Sequence, residues 1–235
     1  MLRIIIAFCG ALVVAACSNN YGDCDQERDW DLRIKACTAI IGKGGGAPQK
    51  LAAAFINRGV AYTQKGDYDS AIADFDKAME FGPKIATVYY DLGVAYDAKG
   101  DYDRGIADYD KAIEHDPKYT GAYHNRASAY INKGEYDRAI ADCEKAIDLD
   151  PKDTIAYYNR GFAHDKKGEY DRAIPDYDKA IEFDPKLAIA YAARAIAYAK
   201  KGDKPHAIAD LRKALTLDPT NERFIKALSF LGEAP

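Results

Sequence analysis

Along most of this chain, apolar residues recur three or four positions apart with polar residues between them, which is the spacing of amphipathic helices. Glycine and proline residues divide this pattern into short segments. The glycines recur every 34 residues: Gly66, Gly100, Gly134, Gly168 and Gly202. The prolines follow with the same period: Pro83, Pro117, Pro151, Pro185 and Pro219. Self-similarity at a fixed period predicts tandem structural repeats, here with two helices in each repeat.

The recurring glycine, acidic residue and proline of each block predict where its helices begin and end. A glycine favours the left-handed conformation that closes a first helix, and the Asp or Glu after it can cap a second helix. The proline then ends the second helix, because it disfavours the α conformation in the residue before it. Pro175 interrupts this pattern inside the second helix of repeat four, where it predicts a bend or a delayed helix start.

Within each block, small residues stand at positions 8, 20 and 27 and bulky residues at positions 4, 11, 17 and 24, in a pattern that resembles the tetratricopeptide repeat family. Position 1 is Ala52, Ala86, Thr120, Thr154 and Ala188. The resemblance implies an all-α fold, a right-handed α-solenoid of helix-turn-helix repeats. The five repeats span 52–85, 86–119, 120–153, 154–187 and 188–221. Of the 18 tyrosines in the chain, most fall at the bulky positions, so the tyrosine excess is read as packing.

Both ends of the repeat array are predicted to be caps, since terminal repeats need a polar outer face. Residues 222–235 contain Phe224, Leu228 and Leu231 at the spacing of a one-sided helix. Residues 29–41 read as a degenerate second helix, with Trp30 near position 17 and Cys37 at position 24. Residues 17–51 are therefore predicted to form a half-repeat cap and a glycine-rich linker.

The first 16 residues are predicted to be an export signal. A short positive start precedes an apolar run over residues 4–16, and about 20 Å of helix is too short to cross a bilayer. The run ends in Val-Ala-Ala before Cys17, which resembles the bacterial lipobox and predicts lipid attachment at Cys17. Ordinary cleavage after Ala16, with an unmodified Cys17, is the alternative. Ser18 after the cysteine favours the outer membrane by the same resemblance.

Export places the remaining cysteines in an oxidising compartment, where disulfides persist. Cys9 leaves with the signal, and Cys24 and Cys37 are 13 residues apart. We predict a disulfide between them, which would stabilise the fold by about 3 kcal/mol in the chain-entropy model. Cys143 falls at position 24 of repeat three and is read as a core thiol.

Composition and motifs give no sign of catalysis or of nucleic-acid binding. The formal net charge is -4, and no basic stripe is present. The chain has four scattered histidines, and it lacks a phosphate loop, a metal-ligand spacing and a serine elbow. We predict a protein that is not an enzyme and uses no cofactor or metal; a hydrolase of cell-wall material has no residue in its favour. Arg at position 7 and Asp at position 23 are expected to form weak ion pairs between helices.

The family resemblance implies a concave groove lined by the first helices at positions 2, 5, 6, 9, 12 and 13. Position 6 carries several asparagines, which can bind a peptide backbone through donor and acceptor atoms, although asparagine is also an ordinary choice at solvent-facing positions. Tyrosine, histidine and apolar residues stand beside them. The predicted groove residues are Asn57, Tyr90, Asp91, Val94, His124, Asn125, Ser128, Tyr158, Asn159 and Phe162. Position 5 carries no lysine, so the carboxylate clamp of chaperone-binding members is not expected.

These features predict a non-enzymatic adaptor that binds a peptide or a partner helix of another protein in its groove. The export signal places it on the periplasmic side of a bacterial envelope, as an outer-membrane lipoprotein or else as a soluble periplasmic protein. The alternative is a structural assembly factor for pilus or cell-wall machinery that uses its convex or end surfaces. Contact with the membrane is expected only through the lipid.

Overall fold

The computed structural model describes residues 24, 29–44, 46–82 and 85–232. The predicted signal and Cys17 lie outside these residues. The described part contains twelve helices and no strand. They are α1 (Trp30–Gly42), α2 (Pro48–Lys65), α3 (Tyr68–Phe81), α4 (Ala86–Lys99), α5 (Tyr102–His115), α6 (Thr120–Lys133), α7 (Tyr136–Leu149), α8 (Thr154–Lys166), α9 (Tyr170–Phe183), α10 (Ala188–Lys200), α11 (Lys204–Leu217) and α12 (Glu222–Phe230). The predicted all-α repeat fold is confirmed.

The chain forms two compact units, residues 1–117 and 118–235. In the first unit, α1 packs on α2, α2 on α3, α3 on α4 and α4 on α5. Its core contains Phe75, Val88 and Leu92, each at most 2% exposed. Burial of such side chains contributes about 1.5–3 kcal/mol each relative to exposure.

In the second unit, helices α6 to α12 pack in the same sequential way, and the first helices α8 and α10 also touch each other. Tyr177 and Cys143, both at position 24 of their repeats, are fully buried. Cys143 is a free thiol, as the pattern predicted. Phe224 and Leu228 of α12 pack against the core that α10 and α11 form, so α12 covers the end of this unit.

The small residue at position 8 is required because the position 24 ring lies directly against it. A Cβ added to Gly59 would come within 2.7 Å of Phe75, and one added to Gly161 would come within 3.0 Å of Tyr177. The glycines after the first helices take positive φ, for example 88° at Gly100, and Asp67, Asp101 and Asp203 cap the helices that follow through their side chains. The glycine prediction is confirmed, and the capping prediction is confirmed for the aspartates but not for Glu135 and Glu169, whose side chains form no cap.

Helix α1 packs on α2 in the place that a second helix takes in the complete repeats. Lys65 pairs with Asp31 of α1, as Lys99 pairs with Asp69 of α3 in the next repeat. Cys24 and Cys37 are joined by a disulfide with their Cα atoms 5.1 Å apart, and both are buried. Cys37, which the pattern places at position 24, is thus buried like the position 24 residues of the complete repeats.

Two details differ from expectation. Helix α2 begins at Pro48, four residues before the repeat pattern starts, because proline is well suited to the first turn of a helix. Helix α9 begins at Tyr170, the same repeat position at which α3, α5 and α7 begin, so Pro175 does not delay its start. The prediction of a delay was wrong, since five residues of helix precede the proline.

Candidate functional site

Ion pairs between the two helices of a repeat fix the orientation of the first helices. Arg160 of α8 donates from Nε and Nη2 to the two carboxylate oxygens of Asp176 on α9, at 3.0 and 2.6 Å. Three other pairs have the same bidentate geometry: Arg58 with Asp74, Arg126 with Asp142, and Arg194 with Asp210. The hydrogen bond to Asp176 raises the pKa of Arg160.

The predicted ion pairs between Arg at position 7 and Asp at position 23 are confirmed in four repeats, and their carboxylates are more buried than those of a weak surface pair. The four aspartates that accept from arginine are 5 to 7% exposed. A bidentate pair that is largely desolvated contributes more to orientation than a surface pair does. Repeat two departs from this pattern, because Leu92 replaces the arginine and Asp108 accepts instead from Lys111 at 2.9 Å.

The predicted groove residues of the first unit lie on α2 and α4 and are all half-buried. Asn57 lies on α2, whereas Tyr90, Asp91 and Val94 lie on α4. Asp91 keeps part of its surface exposed, yet burial raises its pKa to about 7. Six residues further along α4, burial raises the pKa of Asp97 to about 6, and its Oδ1 has no hydrogen-bond partner.

In the second unit, two predicted groove residues are engaged with each other. His124 Nδ1 lies 3.1 Å from Asp153, whose side chain also caps α8. The Nδ2 group of Asn159 donates to the main-chain oxygen of His124 at 3.4 Å, and Asn159 is 8% exposed. Burial favours a higher pKa for Asp153, but the hydrogen bond and charge of His124 and two backbone N–H groups outweigh it, so the pKa is lowered. Asn159 therefore links neighbouring first helices.

The remaining predicted residues of the second unit differ in accessibility. Tyr158 is 5% exposed and packs against Tyr177 and Phe162, with ring centroids 5.9 and 6.2 Å away. Burial raises the pKa of Tyr158 to about 12. Asn125, Ser128 and Phe162 are half-buried and keep some contact with solvent. Of the ten predicted groove residues, only Tyr158 and Asn159 are buried.

The sequence did not reveal a group of buried polar side chains near the C-terminal end of α8. Asp165 is 6% exposed; its Oδ1 has no hydrogen-bond partner, and its Oδ2 lies 3.4 Å from Lys200 Nζ. The Tyr177 hydroxyl, also buried, has no hydrogen-bond partner either. The signal was present in the chain: tyrosine at position 5, aspartate at position 12 and tyrosine at position 24 occur together in repeats two and four alone.

The described residues contain no group of three His, Cys, Asp or Glu side chains that could hold a metal ion. His164 is buried and lies 2.8 Å from Glu169, and burial raises the pKa of the Cys143 thiol. Among the helices of the described part, none is long and apolar enough to span a bilayer.

Comparisons with known proteins identify the family. Models described as tetratricopeptide repeat match residues 90–154, 154–187 and 188–221, and one described as TPR repeat matches residues 59–100. A crystal structure of MamA is 30% identical, with a TM-score of 0.62, over 70% of this chain and 96% of that one. The chain belongs to the tetratricopeptide repeat family. Curated protein sequences gave no match.

More distant structures share the fold. YrrB, described as a TPR protein with an unusual peptide-binding site, is 23% identical over 83% of this chain and 99% of its own, with a TM-score of 0.62. A thermophilic TPR protein from Thermus thermophilus is 21% identical over 77% and 98%, with a TM-score of 0.64. Family and fold together indicate a protein–protein interaction adaptor.

Proposed function

We propose that this protein is a non-enzymatic adaptor that binds a peptide or a helix of a partner protein along the first helices of its repeats. The observation that carries the proposal is the partial exposure of Asn57, Tyr90 and Val94 in the first unit and of Ser128 and Phe162 in the second. These side chains combine amide, hydroxyl and apolar groups, which suits an extended peptide or an amphipathic helix. The peptide-binding site named for YrrB is consistent with such a role.

The site of action in this proposal is the bacterial envelope, with the chain anchored by lipid on Cys17. The support is the sequence alone, namely the apolar run that ends at Val-Ala-Ala-Cys. Mass spectrometry of the mature N-terminus tests the anchor. A diacylated or triacylated Cys17 is expected, and an unmodified Cys17 or a start at another residue would contradict it.

Site-specific photo-crosslinking tests the binding face. A photoreactive residue at Val94 or Ser128 is expected to crosslink a partner in intact envelopes, because both positions lie half-exposed on first helices. The matched positions are Lys77 and Lys145, exposed on second helices, and they are expected to give no adduct. Crosslinks only from the second helices would favour the structural assembly factor. Asn159 is a poor probe, because its amide already supports the main chain of α6.

A further inference from the structure

An apolar strip runs along the first helices of the second unit. Phe162 of α8, Ile196 of α10 and Phe230 of α12 stand at intervals of 34 residues and so occupy the same repeat position, position 9. Phe162 is half-buried, whereas Ile196 is 47% and Phe230 is 90% exposed. These last two are among only five large hydrophobic residues exposed in the described part of the chain. We call Phe162, Ile196 and Phe230 the position-9 strip.

Lysines accompany the position-9 strip on every helix that carries it. Lys166 and Lys200 follow one turn after Phe162 and Ile196, and Lys226 lies one turn before Phe230. The Lys166 ammonium lies 4.8 Å from the centroid of the Phe162 ring, and Lys200 lies 5.2 Å from the ring of Tyr170. The ammonium groups of Lys166 and Lys200 thus both lie beside an aromatic ring.

Two of these three lysines have one carboxylate beside them. Asp165 is buried and only 3.4 Å from Lys200, and Glu222 lies 3.1 Å from Lys226 at the end of α12. On α8, Asp165 is the only acidic residue, and α10 has none. Lys166 forms no ion pair within the described residues, so α8 presents an uncompensated ammonium on this face of a chain whose formal net charge is -4.

From this juxtaposition we propose that the second unit binds an acidic amphipathic segment of a partner protein, with its apolar residues on the position-9 strip and its carboxylates facing Lys166 and Lys200. The proposal rests on the proposed adaptor function and specifies the chemistry of the partner. Helices that pack, as α8 and α10 do, have axes about 8–10 Å apart. Apolar residues seven apart on a partner helix are about 10.5 Å apart, so one segment can contact neighbouring members of the strip.

An anionic membrane surface shares the same chemistry, because it offers both apolar chains and negative charge. The structure favours a peptide, since Phe162 is recessed and packs on Tyr158, where a side chain reaches more readily than a lipid headgroup does. Membrane binding is therefore an outcome of the test.

Fluorescence anisotropy with two labelled 18-residue peptides tests the proposal on the full chain. Both peptides carry Leu at helical spacing with Gln between, and one adds four Glu where the other adds four Lys. The acidic peptide is expected to bind at least about tenfold more tightly, with affinity falling as salt rises. The Ile196→Ser, Phe230→Ser double variant is expected to weaken that binding at least about fivefold.

Charge reversal gives the sharper comparison. Lys166→Glu with Lys200→Glu is expected to remove or invert the preference for the acidic peptide. Lys152→Glu with Lys186→Glu changes the net charge equally but lies in exposed turns before α8 and α10, and it should leave the ratio of the two affinities within about twofold. Circular dichroism checks that each variant keeps its helices.

Equal binding of the two peptides, binding of neither, or an equal loss in the turn variant would overturn the inference. So would binding to vesicles of anionic phosphatidylglycerol without binding to the acidic peptide. If the acidic peptide fails while Val94 and Ser128 still crosslink a partner, the adaptor function stands and only the chemistry assigned to the partner is wrong.

Discussion

In four of the five repeats an arginine at position 7 connects the first helix to the second, and the ion pair depends on the planar fork of the guanidinium. Both oxygens of Asp176 accept from Arg160, and the carboxylate is 6% exposed. Lysine offers a single ammonium and cannot reproduce two parallel hydrogen bonds. The pair therefore fixes the orientation of α8 relative to α9, and it also neutralises the buried carboxylate of Asp176.

Removal of this arginine leaves a buried carboxylate without a partner. Arg160→Ala is expected to lower the free energy of unfolding by about 2 kcal/mol, and Arg160→Lys to recover only part of that loss. Urea denaturation followed by circular dichroism measures both. Arg172→Ala is the matched control, because Arg172 is exposed and pairs with Glu169 on the surface; a change within about 0.5 kcal/mol is expected there. Equal losses at the two arginines would contradict the assignment.

Asp91 predicts a pH dependence of stability. Its pKa is raised by burial to about 7 in the folded chain, so folding favours its protonated form. The resulting stability is complete below the unfolded pKa of about 4 and is lost as the pH rises through 7. Asp91→Asn is therefore expected to melt at a higher temperature than the natural chain at pH 8, with the difference shrinking toward pH 5.

Thermal melts between pH 5 and pH 8 measure this difference. Asn57→Ala changes the corresponding residue of α2 without removing a titrating group, so its difference from the natural chain should stay constant with pH. A constant difference for Asp91→Asn as well would show that the carboxylate is not responsible.

At the scale of the helix, α9 is the one second helix of the five repeats with a proline beyond its first turn. Position 22 is Ala73, Ala107, Ala141 and Ala209 in the other four repeats. Proline in a helix interior removes a backbone hydrogen bond and is about 3 kcal/mol less favourable than alanine. Helix α9 nevertheless keeps its start and its 14-residue length, since Tyr177 and Ala180 remain buried beyond the proline.

Pro175→Ala is expected to raise the free energy of unfolding by about 1–2 kcal/mol, because it restores the backbone hydrogen bond. The reverse change, Ala209→Pro, places proline at the same position of α11 and is expected to lower it by a similar amount or more. Urea denaturation compares the two. Destabilisation by Pro175→Ala would mean that the ring of the proline makes packing contacts that alanine cannot replace.

At the scale of the whole molecule, the sequence period was sufficient to predict the helices, most of their ends and the arginine–aspartate pairs, whereas the start of α2 and the effect of Pro175 on α9 were not predicted. These features depend on residues within one repeat, where a fixed spacing brings the side chains together. The accessibility of the groove could not be read in the same way. Asn159 is buried because it reaches the carbonyl of His124 on a neighbouring first helix, and that distance depends on packing between repeats.

The buried carboxylate of Asp165 shows the same limit. Its position in the repeat suggested a solvated face, yet Tyr158, Tyr177 and Lys200 surround it in the folded unit. The sequence did not predict the position-9 strip for a related reason. Phe230 belongs to α12, which the repeat pattern indicates only as a capping helix. Its 90% exposure is a property of the folded end of the unit.

The disulfide between Cys24 and Cys37 links this end of the described chain to the redox state of its surroundings. Cys24 lies outside α1 and is held against it by the bond to Cys37, and both residues are buried. In a reducing compartment the contact between residue 24 and α1 would depend on packing alone, so α1 would lose a covalent constraint that an oxidising compartment preserves.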